Sequence, residues 1–92
     1  MVDLNKIIQA KRTINDFVYK TPFALAPKLS RIYGAEVYLK SENLQRTGAY
    51  KIRGAYNKIA HLTDEERAHG VIAASAGNHA QGVAMSTQKF GV

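Results

Sequence analysis

The run Val71-Ile-Ala-Ala-Ser75 constrains the fold more than any other stretch of this chain. It shows no polar alternation before Ser75, which is the pattern of a strand covered on both faces, and such strands belong to parallel sheets with helices on either side. A turn at Ala76-Gly77 leads into a helical stretch from about Asn78 to Phe90, with Gly91 as terminator and Ala80, Val83, Ala84 and Thr87 as its expected stripe. Upstream, Glu36-Val-Tyr-Leu-Lys-Ser41 is β-rich and bounded by Gly34 and Glu42-Asn43, which predicts a second strand. Between the two, Ala49, Ile52, Tyr56, Ile59 and Ala60 recur at helical spacing, with Thr47 as the expected cap and His61 near the end. Leu62-Thr-Asp-Glu-Glu-Arg67 adds a cap and a short acidic-led helix that Gly70 closes. Strand, helix, strand, helix with short joints predicts an α/β fold built from parallel β-α-β-α elements.

Two helices precede those elements. Asp3 is placed to cap the first, in which Leu4, Ile7, Ile8, Lys11 and Ile14 follow a helical period, and it should end near Phe17 to Lys20, before Thr21-Pro22. Pro27 suits an early position of the second, and Gly34 suits the position just after its end. Two strands are too little sheet to sandwich between helices, so residues 1–92 are expected to be the first part of a larger enzyme.

Composition narrows the class. An apolar content of 46% argues against disorder, and the absence of Cys excludes disulfides and thiolate metal sites. No stretch approaches the ~20 apolar residues of a membrane span, and the N-terminus has no apolar leader core, so a cytoplasmic protein is expected. The net charge of +6 is spread from Lys6 to Lys89 with never more than two positive residues in a row. A nucleic-acid footprint clusters on one face, so a small phosphate-bearing ligand accounts better for the bias. His61 and His69 flank the acidic stretch without metal-ligand spacing, and no metal site is expected.

Two segments carry chemistry. Lys51 lies opposite the apolar stripe of its helix, with Thr47, Gly54 and Lys58 as face neighbours. Periodicity alone describes a solvated lysine, whereas Gly48 and Gly54, each unfavourable inside a helix, suggest that something approaches the backbone closely. An amine freed of its proton in such a place can condense with a carbonyl. The second segment, Ser75-Ala-Gly77-Asn78-His79-Ala-Gln81-Gly82, runs from a strand end to a helix start, where unpaired N–H groups suit a carboxylate or phosphate. Asn78 could donate its amide to a ring oxygen. Capping of the helix accounts for Ser75 and Asn78 equally well. His79 lacks a carboxylate partner in sequence and fits an orienting or substrate-contacting role better than that of a base.

Ser41-Glu-Asn-Leu-Gln-Arg-Thr-Gly-Ala-Tyr-Lys51-Ile-Arg-Gly-Ala, with Ser75-Ala-Gly-Asn-His-Ala-Gln-Gly downstream, closely resembles the serine/threonine dehydratases of the pyridoxal-phosphate fold-type II enzymes, and the resemblance covers the whole chain. It implies pyridoxal 5′-phosphate as cofactor, Lys51 as the residue that forms the internal aldimine and removes the α-proton, Tyr50 as its aromatic neighbour and Asn78 at the cofactor's 3′-oxygen. It also implies that Ser75, Ala76, Gly77, Asn78 and His79 receive the substrate carboxylate. The implied reaction is β-elimination and deamination of L-threonine or L-serine to a 2-oxo acid and ammonia, in a homo-oligomer. Serine racemases that resemble this family carry a second Ser where Ala76 stands, and Ala76 cannot transfer a proton. Catabolic members respond to a nucleotide, for which Arg46, Thr47 and Gln81 are the implied contacts; biosynthetic members carry a further domain that answers to isoleucine. The phosphate cup and the residue facing the pyridine nitrogen are implied to lie beyond Val92, so the 92 residues alone are expected to be inactive. Serine racemase, another fold-type II enzyme and a non-catalytic basic module are the competing readings.

Overall fold

A computed structural model describes residues 1–92. Helix α1 spans Leu4–Ile14, capped by the Asp3 carboxylate, which accepts the Lys6 amide N–H at 2.9 Å. It stops short of the expected Phe17 to Lys20, and of its apolar stripe only Ile14 is buried. The amides of Phe17 and Val18 both donate to the Ile14 carbonyl, closing the helix in a turn well before Pro22.

Strand β1 (Phe23–Leu25), helix α2 (Pro27–Tyr33) and strand β2 (Tyr38–Lys40) form the only sheet. Pro27 opens α2 and Gly34 ends it in the left-handed region at φ 62°, as the sequence predicts. Strand β1 carries no sequence signal of its own, because three residues between Pro22 and Pro27 are too few for a period to show. It pairs with β2 antiparallel, Phe23 opposite Lys40 and Leu25 opposite Tyr38, since α2 turns the chain back on itself. Ser30 fastens that turn: its hydroxyl donates to the Ala26 carbonyl and accepts the Val37 amide.

After two 3-10 turns, Glu42–Leu44 and Arg46–Gly48, helix α3 runs over Lys51–Ala60, α4 over Asp64–His69 and α5 over Asn78–Phe90. Helix α4 has the expected capping box: Thr63 Oγ1 accepts the Glu66 amide at 3.2 Å, and the Glu66 carboxylate accepts the Thr63 amide at 2.8 Å. That backbone bond, first of all, lowers the Glu66 pKa. The start of α3 differs from expectation. Thr47 sits at φ 62° in the left-handed region and cannot act as a cap, and Tyr50 takes the cap position without a side-chain hydrogen bond.

The expected strand at Val71–Ser75 is absent. These residues are exposed, Ile72 fully so, and no backbone hydrogen bond joins them to another segment. A strand is made by pairing, and the one sheet consists of β1 and β2 alone, with this run bonded to neither. The fold is therefore mixed helix with a small antiparallel sheet, and not the parallel β-α-β-α arrangement that the hydrophobic pattern predicts.

The core lies between α3 and α5, with the end of α1 against α3. Ile52, Ala55, Tyr56 and Ile59 form the buried face of α3, and Ala49 is buried just ahead of it. On α5 the buried positions are Gly82 and Ser86 rather than the expected stripe of Ala80, Val83, Ala84 and Thr87. Phe17 stacks on Tyr56 with ring centroids 4.2 Å apart, and Phe90 meets the same ring at 4.9 Å.

Candidate active site

Lys51 is the first residue of α3. Because Ile52, Ala55, Tyr56 and Ile59 turn inward, the helical period sends Lys51, Gly54 and Lys58 outward, and all three are exposed. The Lys51 amine enters no hydrogen bond and no ion pair; its one recorded neighbour is the exposed Tyr50 ring, with Nζ 5.6 Å from the centroid. It is an unencumbered amine at a helix start.

The Ser75 to His79 loop is likewise open. Ser75 Oγ accepts the Gly77 amide at 3.1 Å, which curls the turn, and α5 starts at Asn78 with no side-chain cap. The first amides of α5 are therefore unpartnered and directed out of the helix end, as an anion requires. Ser75, Ala76, Asn78 and His79 are exposed and Gly77 half-buried. The reading of Asn78 and Ser75 as side-chain caps of α5 finds no hydrogen bond to support it.

Gly82, one turn into α5, ties this loop to the lysine. A Cβ there would lie 3.3 Å from both the amide nitrogen and Cα of Ile52, the residue after Lys51, and 3.4 Å from Ala55 Cβ. Glycine lets the two backbones approach. One turn further on, the fully buried Ser86 donates its hydroxyl to the Gly82 carbonyl at 2.7 Å, so its polar group is satisfied within the contact. A groove of about 260 Å³ opens beside this contact, lined by Gly54, Lys58, Val71, Ile72, His79 and Val83 among others. A wider surface depression along α1, lined by Ile8, Lys11, Arg12, Asn15 and Asp16, includes neither Lys51 nor any residue of the Ser75 to His79 loop.

The loop that delivers Lys51 is bound to the N-terminal segment by polar contacts that the sequence does not announce. Glu42 receives Arg53 through two hydrogen bonds, Nε to Oε2 at 2.9 Å and Nη2 to Oε1 at 2.8 Å, and the Thr21 hydroxyl donates to Oε1 at 2.6 Å. The Arg53 bonds, aided by Thr21, lower the Glu42 pKa to about 2 despite partial burial, and the same pairing raises that of Arg53. Gln45, almost fully buried, accepts the Tyr19 amide and donates to the Tyr19 carbonyl. Arg46 lies over the rings of Phe17 and Tyr19, at 4.8 and 4.5 Å from their centroids, and donates to the Phe17 carbonyl. The only sequence signal for these contacts is an acid and a base in one segment, and no local period couples positions 42 and 53.

Of the residues expected at a nucleotide, Arg46 is engaged in that clamp and Gln81 is exposed on α5. Thr47 stands out: its hydroxyl is buried without a hydrogen-bond partner, at a left-handed backbone position. His61, just past the end of α3, and His69, the last residue of α4, each turn Nδ1 toward the carbonyl four residues earlier.

Residues 14–92 match the family described as pyridoxal-phosphate dependent enzyme. This chain belongs to that family. Over all 92 residues it is 59% identical to an L-threonine ammonia-lyase of Thermotoga maritima, of which it covers 23%. It is 50% identical to a catabolic L-threonine dehydratase of Staphylococcus aureus, covering the whole of this chain and 27% of that protein. The solved structure of serine racemase from Dictyostelium discoideum matches 99% of this chain and 30% of its own, with a TM-score of 0.90 and 38% identity. The chain thus spans about a quarter of the length of the curated relatives it matches.

Proposed function

We propose that this chain is the N-terminal part of the catalytic domain of a pyridoxal-phosphate dependent ammonia-lyase, which eliminates water from L-threonine or L-serine and releases 2-oxobutanoate or pyruvate with ammonia. The observation that carries the reading is a free amine at Lys51 and a helix start with open amides on two helices that meet at the Gly82 contact with Ile52. The names of the Thermotoga maritima and Staphylococcus aureus relatives support the threonine reaction.

The residues fit the cofactor. An amine without a salt-bridge partner is available for condensation, and the exposed Asn78 and the uncapped amides of α5 are available to a ring oxygen or a carboxylate. When bound, pyridoxal phosphate supplies an aldehyde for an amine to join and a ring that accepts the electron pair left by a departing α-proton. The chain's own part is to bind and to move protons. Lys51 Nζ, once released by the incoming amino group, takes the α-proton as general base. The Ser75 to His79 loop holds the substrate carboxylate, which fixes the α-carbon before that amine. The β-hydroxyl leaves as water after gaining a proton, and one water is taken up when ammonia is released, so the net products are the 2-oxo acid and ammonia.

Elimination is favoured over racemisation because Ala76, in the open loop, has no hydroxyl to deliver a proton to the opposite face. The likeness to serine racemase keeps that activity as the second reading. In the full-length enzyme we place Val71–Ser75 as a strand of a parallel sheet, paired with chain outside these 92 residues, in a cytoplasmic homo-oligomer. A nucleotide effector at Arg46, Thr47 and Gln81 is part of the same proposal, supported by the partnerless Thr47 hydroxyl. A panel of amino acids with detection of 2-oxo acids and of D-serine tests the reading. Threonine and serine deamination with little D-serine is expected; D-serine formed as fast as pyruvate overturns it.

A further inference from the structure

We infer that Glu42 is a positioning residue for Lys51, holding the first turn of α3 so that the amine meets its partner in one orientation; this rests on the role proposed for Lys51. Helix α3 begins at Lys51 without a side-chain cap, after Ala49 in extended backbone and two left-handed residues, Thr47 and Gly48. Uncapped first turns fray unless other contacts hold them; burial of Ile52 holds the inward side of this turn, which leaves its outward, polar side to other contacts. The polar side-chain anchor of that turn is Arg53, two residues after Lys51, and both of its side-chain hydrogen bonds end on Glu42.

Glu42 is itself held from the other side. Thr21, only 5% exposed, donates to the same carboxylate, and the Thr21 carbonyl receives the Lys40 amine at 2.7 Å. The Ser41 amide donates to the Pro22 carbonyl at 2.9 Å, so the backbone beside Glu42 is fastened to the same segment. The carboxylate thus bridges the strap at Thr21-Pro22 to the helix that bears the amine. A two-bond fork to a planar guanidinium fixes direction as well as distance, which a single contact does not. Rotation of the first turn by one residue would carry Lys51 toward the buried face, and the fork opposes that rotation.

The test uses the full-length enzyme with Glu42→Ala, Glu42→Gln and Arg53→Lys, and with Thr63→Ala as a control that weakens the capping box of α4 away from Lys51. Pyridoxal phosphate is added to the apo-protein well below the unfolding temperature, the product is reduced with borohydride at timed intervals, and labelled lysines are mapped by mass spectrometry. Capture of Lys51 is expected to slow about tenfold in Glu42→Ala and in Arg53→Lys, with kcat falling in step and KM changing little, because a small misplacement of a reacting group is costly. Glu42→Gln, which keeps one acceptor, should recover part of the rate, and Thr63→Ala should leave it unchanged. If the folded Glu42 and Arg53 variants capture at the wild-type rate while only their thermal stability drops, the inference is overturned. If the wild-type protein itself is not labelled at Lys51, the proposed function fails instead, which separates the two.

Discussion

Glu42 and Thr47 show how single residues near the lysine are set by their surroundings. The Glu42 carboxyl is held at a pKa of about 2 where an unpaired one titrates near 4.5. A depressed pKa gives stability that is fully present above the unfolded value and is lost as pH falls from about 4.5 toward 2. Acid titration of unfolding should therefore show a decline over that window that is shallower in Glu42→Gln, whose stability at neutral pH should be lower by about 1 to 3 kcal/mol. Identical acid limbs for the two proteins would contradict this. Thr47 departs from local rules in two ways, by its left-handed backbone and by its buried, partnerless hydroxyl. Thr47→Gly removes both costs and should stabilise the folded state by about 1 kcal/mol in denaturant titration, whereas a loss of stability would mean the hydroxyl has a partner. Neither feature was legible in the sequence, because each depends on which distant segment packs against the loop.

The pairing of α3 with α5 is the element-scale feature on which the site depends. Gly82→Ala places a methyl group 3.3 Å from the Ile52 backbone, which cannot move aside as a flexible side chain can. The expected cost is about 1 to 3 kcal/mol by thermal or chemical unfolding, with a drop in capture of pyridoxal phosphate at Lys51. Unchanged stability and capture would show that α5 does not rest on that amide. Helices α2, α4 and α5 were legible to within a residue or so because Pro27, Gly34, Thr63, Gly70 and Gly91 are local signals of start and stop. The inward face of α5 was not, since Gly82 and Ser86 are buried by close approach rather than by hydrophobicity. Strand β1 was missed because pairing, not pattern, makes three residues a strand, and Val71–Ser75 shows the converse: a strand pattern with nothing to pair with.

At the scale of the whole molecule, the 92 residues leave much apolar surface uncovered. The radius of gyration is 16.0 Å, where a compact domain of this length has about 12 Å. The accessible area of 6994 Å² exceeds the roughly 5300 Å² usual for a folded monomer of 10.1 kDa. Phe23, Ile32, Tyr33, Leu39 and Ile72 stand exposed, and no helix is long and apolar enough to cross a membrane. The isolated chain is therefore predicted to bind an apolar dye and to self-associate at micromolar concentration in ultracentrifugation; a dye-silent monomer would contradict this. The amine at the start of α3 is the group on which the chemistry turns. Borohydride reduction of the full-length protein loaded with pyridoxal phosphate, followed by peptide mapping, should find a pyridoxyl group on Lys51 and none in Lys51→Ala; a label on Lys58 or another lysine, or on none, would contradict the role of Lys51.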